Sequence, residues 1–457
     1  MLSLFPFPLH LLLLLICFPV FSTNQQSLAP DSSMNRHELE TLYKIMESLS
    51  ADEDWRAAYP NPCQPGSGWT GIECKHSTLD NLLHVTRLDL GTFPNPACKN
   101  SATFPPEIFH LPNLDAVFIF QCFTNAPARI SIPPNKLPPA SPLQQLSLRS
   151  NSALIGTIPP QISTLKSLQI LTLSQNRLTG PIPVEIFTSS SLLHLDLSYN
   201  TLTGTIPPEV GNLGKLVGLD LSYNKLTGAI PPTIGELRIL QKLDLSSNLL
   251  TGTIPDSIHE LQSLVFLALS NNRLHGAFPK GLINLHSLQY FLMDNNPMSV
   301  SLPEEFGQLK KLQELRLSNS GYSGTIPSAY SQLLNLSSLS LQNNRLSGTI
   351  PDGFTNLSHI YHLNLSRNFL QGVVPFNSTF LKRLGRNLDL SGNSGLCFSP
   401  SAAADDVIIG VGVCGNNDRI SSKPVKKSEA ALLHCSTLLF VSLCFTILSF
   451  HHTIYYF

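Results

Sequence analysis

The sequence predicts an α/β solenoid, in which copies of one short unit stack side by side. They build a curved parallel β-sheet on the concave side and irregular or 3-10 turns on the convex side, with both ends capped by disulfides. Three observations carry this. Asparagine recurs every 24 residues at Asn176, Asn200, Asn224, Asn248, Asn272, Asn296, Asn344 and Asn368, with one skipped beat at Ser320. Around each stands the same phrase, as in LDLSYNKLTGAIP, and inside it leucines alternate with other residues. Self-similarity at a fixed period of this size marks stacked repeats rather than a compact domain.

The spacing L-x-x-L-x-L-x-x-N is that of the leucine-rich repeat. In Leu168-x-x-Leu171-x-Leu173, alternation turns Leu171 and Leu173 inward and Thr172 outward, as a short strand requires. Asn176 falls where the chain leaves the strand; its amide can both donate and accept for turn groups that would otherwise be buried unpaired. Gly180 then permits a left-handed turn. One copy cannot bury its apolar face alone, so the array needs its neighbours and sealed ends.

Most of the 457 residues fall into this one elongated unit. Its 29 basic and 30 acidic residues balance and offer no basic stripe, which argues against nucleic acid as the partner. Residues 1–22 read as a secretory signal, with an apolar core from position 11 to 16. Residues 23–83 read as an N-terminal cap. Its helix spans 35 to 49, with Asn35 and Glu38 at capping-box spacing and Leu39, Leu42, Tyr43, Met46 and Leu49 on one face. Cys63 and Cys74 follow, placed to pin that lid with a disulfide, and Trp69-x-Gly71-Ile72-x-Cys74 resembles the cap signature of plant leucine-rich-repeat receptors.

Residues 84–396 hold the repeats, about twelve plus a partial copy. The first are longer: the strands at Val85, Leu114 and Leu143 begin 29 residues apart, and the extra length carries Cys98 and Cys122. Here DNLLHVTRLDLG and AVFIFQCFTNAPARI resemble the kinase-less plant receptor-like proteins of the Too Many Mouths type, over roughly residues 38 to 414. That resemblance implies a repeat ectodomain at the cell surface. It would work beside leucine-rich-repeat receptor kinases that read secreted peptides, in development or defence. Another function class shares the repeat, namely a wall-associated inhibitor of the polygalacturonase-inhibitor type, which lacks an anchor.

Cys397 and Cys414 suit a closing cap within 397–428. Proximity along a solenoid favours Cys63–Cys74, Cys98–Cys122 and Cys397–Cys414 among the fifteen pairings open to six cysteines. No C-x-x-C spacing exists to hold zinc. Residues 429–457 read as a membrane anchor, because 430–450 is an apolar run long enough to span a bilayer. Lys423, Lys426 and Lys427 lie before it and nothing basic follows except His451 and His452, a bias suited to a lipid-anchor signal. A transmembrane helix is the alternative.

No kinase, G-x-S-x-G or other catalytic constellation is present, so the chain reads as a binding protein that needs no cofactor or metal. The informative surface is the outward side of the strands. Asp196, Asp220 and Asp244 form an acidic column there, and Tyr199 and Tyr223 sit at matching positions beside it. Departures from the repeat say more: Phe266, Tyr290, Leu292, Glu314 and Arg316 fall in adjacent copies, near Pro297, Val300 and Ser320, which break the pattern. These are the expected partner-binding residues. Asn335, Asn356, Asn364 and Asn377 head glycosylation sequons, with Asn364 facing out of the concave wall.

Overall fold

A computed structural model describes residues 34–50, 53–64, 66–133, 141–399 and 411–415. The signal, the anchor run and part of the C-terminal linker lie outside these residues.

Fourteen strands form one sheet, laid down in the order of the chain. Thirteen of them are parallel, beginning with Leu83–Leu90, Ala116–Phe120 and Gln145–Arg149 and ending at Leu388–Asp389. Pairing is one to one: Leu195 stands beside Leu219 and Leu219 beside Leu243, so every inward leucine meets its counterpart in the next copy. Those leucines are buried along the whole array, and the core is a continuous stripe under the sheet. The longer early copies keep the same register, with Leu88 beside Val117 and Val117 beside Leu146.

The asparagine ladder does what its amide allows. Asn200 Nδ2 donates to the carbonyls of Leu173 (2.8 Å), Leu197 (3.1 Å) and Ser198 (3.1 Å), and its Oδ1 accepts from Leu178 N at 3.0 Å. At the skipped beat, Asn344 Oδ1 accepts from both Ser320 N and Tyr322 N at 3.1 Å, and Ser320 Oγ donates to Ser318 O at 2.8 Å. The short hydroxyl thus keeps part of the ladder.

Beyond the asparagine the chain forms short lateral strands, absent from the sequence reading, in groups such as Thr227–Gly228, Leu249–Gly252 and Arg273–Leu274. Between Arg273–Leu274 and Ser323–Thr325 this lateral pairing shrinks to a single bridge, Ser301 to Ser323. That is the copy of Pro297, which lacks an N–H to donate. Single 3-10 turns, from Pro106–His110 to Asp352–Asn356, follow on the convex side.

The N-terminal lid is helix Arg36–Leu49, capped by Asn35, whose side chain accepts from His37 N. Glu38 does not close a capping box. It turns into the protein, where its carboxylate accepts from Val85 N at 2.9 Å and meets His84 Nδ1 at 2.6 Å. A strand, Ile72–His76, pairs antiparallel with Leu83–Leu90 and ends the sheet. Trp55, Tyr59 and Trp69 pack together under the lid, with ring centroids 4.8 to 5.4 Å apart. Disulfides join Cys63 to Cys74, Cys98 to Cys122 and Cys397 to Cys414. At the other end, helix Ser378–Leu384 and the paired strands Gly395–Phe398 and Gly412–Val413 close the core.

Candidate functional site on the concave wall

Two columns of outward side chains run across the sheet. One reads His194, Gly218, Lys242, Phe266, Tyr290, Glu314, Ser338 and His362; the other reads Asp196, Asp220, Asp244, Ala268, Leu292, Arg316, Ser340 and Asn364. The wall therefore has an acidic stretch, an apolar stretch, then a stretch of mixed charge.

In the acidic stretch each aspartate first serves its own turn. Asp196 Oδ1 accepts from Ser198 N (3.0 Å) and Ser198 Oγ (2.7 Å), and Asp220 and Asp244 repeat this with Ser222 and Ser246. The consensus serine and aspartate are thus a structural pair, and their recurrence follows from the turn. Asp196 and Asp220 are half-buried, whereas Asp244, expected to face outward, is only 6% exposed, covered by its neighbours in register. Lys242 Nζ answers part of the charge, 2.8 Å from Asp220 Oδ2. Burial alone would pull this ammonium down, but Asp220, with Asp244 and Asp196, holds it above its usual range. Burial and the neighbouring Asp220 carboxylate push Asp244 up to about 6.

The apolar stretch corrects one expectation. Phe266 is not an exposed aromatic: it is 9% exposed, with Lys242 Nζ 5.9 Å from its ring centroid and the Tyr290 ring 6.1 Å away. Large side chains in register on neighbouring strands, about 4.8 Å apart, cover one another. Tyr290 and Leu292 are half-buried and form the accessible part, and Tyr290 Oη bonds Gln313 Oε1 at 3.1 Å.

Arg316 is placed by a residue that the repeat pattern did not single out. Asp294, 2% exposed, stands where the copies on either side have serine, Ser270 and Ser318. Its Oδ1 accepts from Ser318 N (2.8 Å) and Ser318 Oγ (2.5 Å) of the next strand, and its Oδ2 lies 2.8 Å from Arg316 Nε. An aspartate in FLMD, against the LDLS of its neighbours, is the sequence signal that could have found it. Burial raises the Glu314 carboxyl above its ordinary range, against the pull of Arg316. Burial and then Arg316 lower His362.

Tyr199 and Tyr223 stand at the exit edge of their strands in the left-handed conformation, φ 52° each. Their rings stack at 4.1 Å with 9° between planes, and both remain half-exposed. Of the sequon asparagines, Asn335, Asn356 and Asn377 are exposed, whereas Asn364 is half-buried on the wall with its Oδ1 accepting from Ser366 N and Oγ. Among the described residues no group of three or more His, Cys, Asp or Glu could hold a metal, and no helix is long and apolar enough to cross a membrane.

Comparison with known proteins agrees with the geometry. Family models described as leucine-rich repeat match residues 167–226, 215–274 and 335–357. Receptor like protein 29 of Arabidopsis thaliana is 59% identical over 162 residues, which cover 35% of this chain and 34% of that protein. The chain thus matches about a third of the length of its curated relatives. The Arabidopsis receptor kinase HAESA, solved in complex with the peptide hormone IDA and the co-receptor SERK1, superposes with a TM-score of 0.65 at 29% identity. That superposition covers 80% of this chain and 58% of HAESA. A leucine-rich-repeat protein of Leptospira interrogans gives 0.53 at 33% identity, covering 66% of this chain and 71% of its own. With the repeat, the register and these likenesses together, the chain belongs to the leucine-rich-repeat proteins, and its likeness extends to plant receptor-like proteins and receptor ectodomains.

Proposed function

We propose that the protein is a cell-surface recognition protein without a kinase of its own. Its concave wall binds a secreted peptide or protein, a leucine-rich-repeat receptor kinase, or both, in developmental or defence signalling. It is a binding protein, not an enzyme. The observation that carries the reading is the apolar stretch of this part of the wall, Tyr290 and Leu292 backed by Phe266, flanked by charge on both sides. An aromatic anchor with a polar surround is how binding energy concentrates at protein interfaces. The similarity to Receptor like protein 29, and to HAESA as solved with a peptide hormone and a co-receptor, supports this choice. The 429–457 segment would hold the protein on the outer face of the membrane, by a lipid or by a span.

The test begins with partners captured by crosslinking on intact membranes and identified by mass spectrometry. Burying a large aromatic is worth roughly 1.5–3 kcal/mol, so Tyr290→Ala should weaken binding of a captured partner about tenfold. Phe266→Ala should act by removing the support behind Tyr290. Unchanged affinity in both secreted, folded variants would move the contact away from this wall, to the irregular end around Cys98 and Cys122.

A further inference from the structure

The concave wall twice places a cation of the chain itself between an aspartate and an aromatic ring. On the strand Leu83–Leu90, Arg87 Nη2 lies 3.0 Å from Asp89 Oδ2 and its guanidinium carbon 4.3 Å from the Phe118 ring centroid. Further along, Lys242 lies between Asp220 and Phe266 at the distances given above. The Tyr199–Tyr223 pair offers the same ingredients a third time. The two residues are 46% and 44% exposed, and the negative charge of Asp220 and Asp244 reaches the Tyr199 phenol, which burial and Tyr223 already hold above its ordinary range. In the same column the flanking residues are Gln175 and Ser247, neither of them aromatic. Among the described residues the four cations found over aromatic rings stand at Tyr43, Phe118, Phe266 and Phe380, and none stands over this pair.

We propose that this third place takes an arginine side chain of the ligand, its guanidinium stacked on the Tyr199–Tyr223 pair and turned toward the Asp220 carboxylate. This deepens the reading of the wall as the ligand face and rests on it. Arginine fits better than lysine because its planar head can lie flat on a ring while its N–H groups reach a carboxylate, whereas an ammonium is a compact and strongly hydrated point charge. The two tyrosines present a flat face, held in place by their mutual stacking at 4.1 Å. Three aspartates against one lysine leave this stretch negative, which matches a basic residue and repels an acidic one. An extended ligand gains about 3.3 Å per residue. The three strand spacings from Asp220 to Leu292, at about 4.8 Å each, therefore place its arginine roughly four residues from the side chain on Tyr290 and Leu292.

The experiment compares acetylated tetra-arginine amide with tetra-lysine amide for binding to the full-length protein by calorimetry at physiological salt. Tetra-arginine should bind about fivefold tighter. The Tyr199→Ala/Tyr223→Ala double variant should bring the ratio to one, and the corresponding double Phe variant should retain it. If the double Ala variant does not fold, Tyr223→Ala alone serves, and it should cut the ratio at least in half. Equal affinities, no binding of tetra-arginine, or a ratio that survives removal of the rings would each overturn the proposal. Tyr290→Ala is measured alongside against a captured partner. Loss of that binding without an arginine preference overturns the arginine site alone, while unchanged binding counts against the wall as a whole.

Discussion

Asp244 and Asn364 hold the same turn with different charge. Each offers Oδ1 to the backbone N–H and hydroxyl of the serine two residues on, at 3.0 and 2.6 Å for Asp244 and at 3.0 and 2.7 Å for Asn364. Asn is therefore a structurally acceptable residue at position 244, and the difference is the buried charge. The Asp244 carboxyl titrates at about 6 in the folded protein and near 3.9 in an unfolded chain. Between those values the folded state keeps a proton that the unfolded state has lost, so this group makes stability fall as pH rises from about 4 to 6. Above that window the penalty is constant. Asp244→Asn should thus raise the thermal midpoint at pH 7.5, and the gain should vanish at pH 4; calorimetry at the two pH values checks it. Asn224→Ala should do the reverse of stabilising. It orphans the Leu202 N–H and removes the donor to the Leu197, Leu221 and Ser222 carbonyls, so a loss of at least about 2 kcal/mol is expected in urea unfolding. The ladder was legible in the sequence because the same asparagine recurs at a fixed 24-residue step, so each one meets equivalent groups in its own turn and in the copy before it. The cover over Phe266 was not, because it comes from Lys242 and Tyr290, each 24 residues away.

Among elements, the lateral strands show how the copies fit edge to edge. Gly228 has φ 76°, and a Cβ there would stand 2.9 Å from Thr205 Cγ2 of the preceding copy. Gly214, on the stretch between a 3-10 turn and the next strand, has nothing within 4 Å of such a Cβ. Gly228→Ala should cost about 1–2 kcal/mol for the left-handed backbone alone, while Gly214→Ala should be neutral or slightly stabilising. Comparing the two midpoints in denaturant decides whether conformation or mere glycine content matters. The lid is partly legible: apolar residues at helical spacing announce Arg36–Leu49, but the capping-box spacing of Glu38 is misleading. Its inward turn depends on His84 and the Val85 N–H, groups supplied 46 and 47 residues later. The strand Ile72–His76 escaped for a similar reason, since its inner partner is the first repeat and not its own alternation.

For the whole molecule, the array is wired between neighbours, and its ends are held by the lid, the closing strands and their disulfides. Residues 429–457 are the proposed membrane anchor. The charge bias around 430–450 predicts a lipid anchor, so phosphatidylinositol-specific phospholipase C should release the protein from membranes. Retention, together with an intact C-terminal peptide ending Tyr455-Tyr456-Phe457 in the mature protein, would indicate a spanning helix.

The one-to-one register of the strands also bears on how such a wall can change over generations. A side chain on the wall touches its own strand and the two beside it, so a substitution disturbs a neighbourhood and not a core shared by all. Sites > 7–10 Å apart with no shared partners usually contribute independently. The tyrosine pair and the Arg316 patch are separated by at least three strands, well beyond that reach at about 4.8 Å per strand. Selection could therefore retune one end of the ligand's contact while leaving the other as it was. A lineage could swap what it recognises copy by copy, and never pass through an unfolded ancestor to do so.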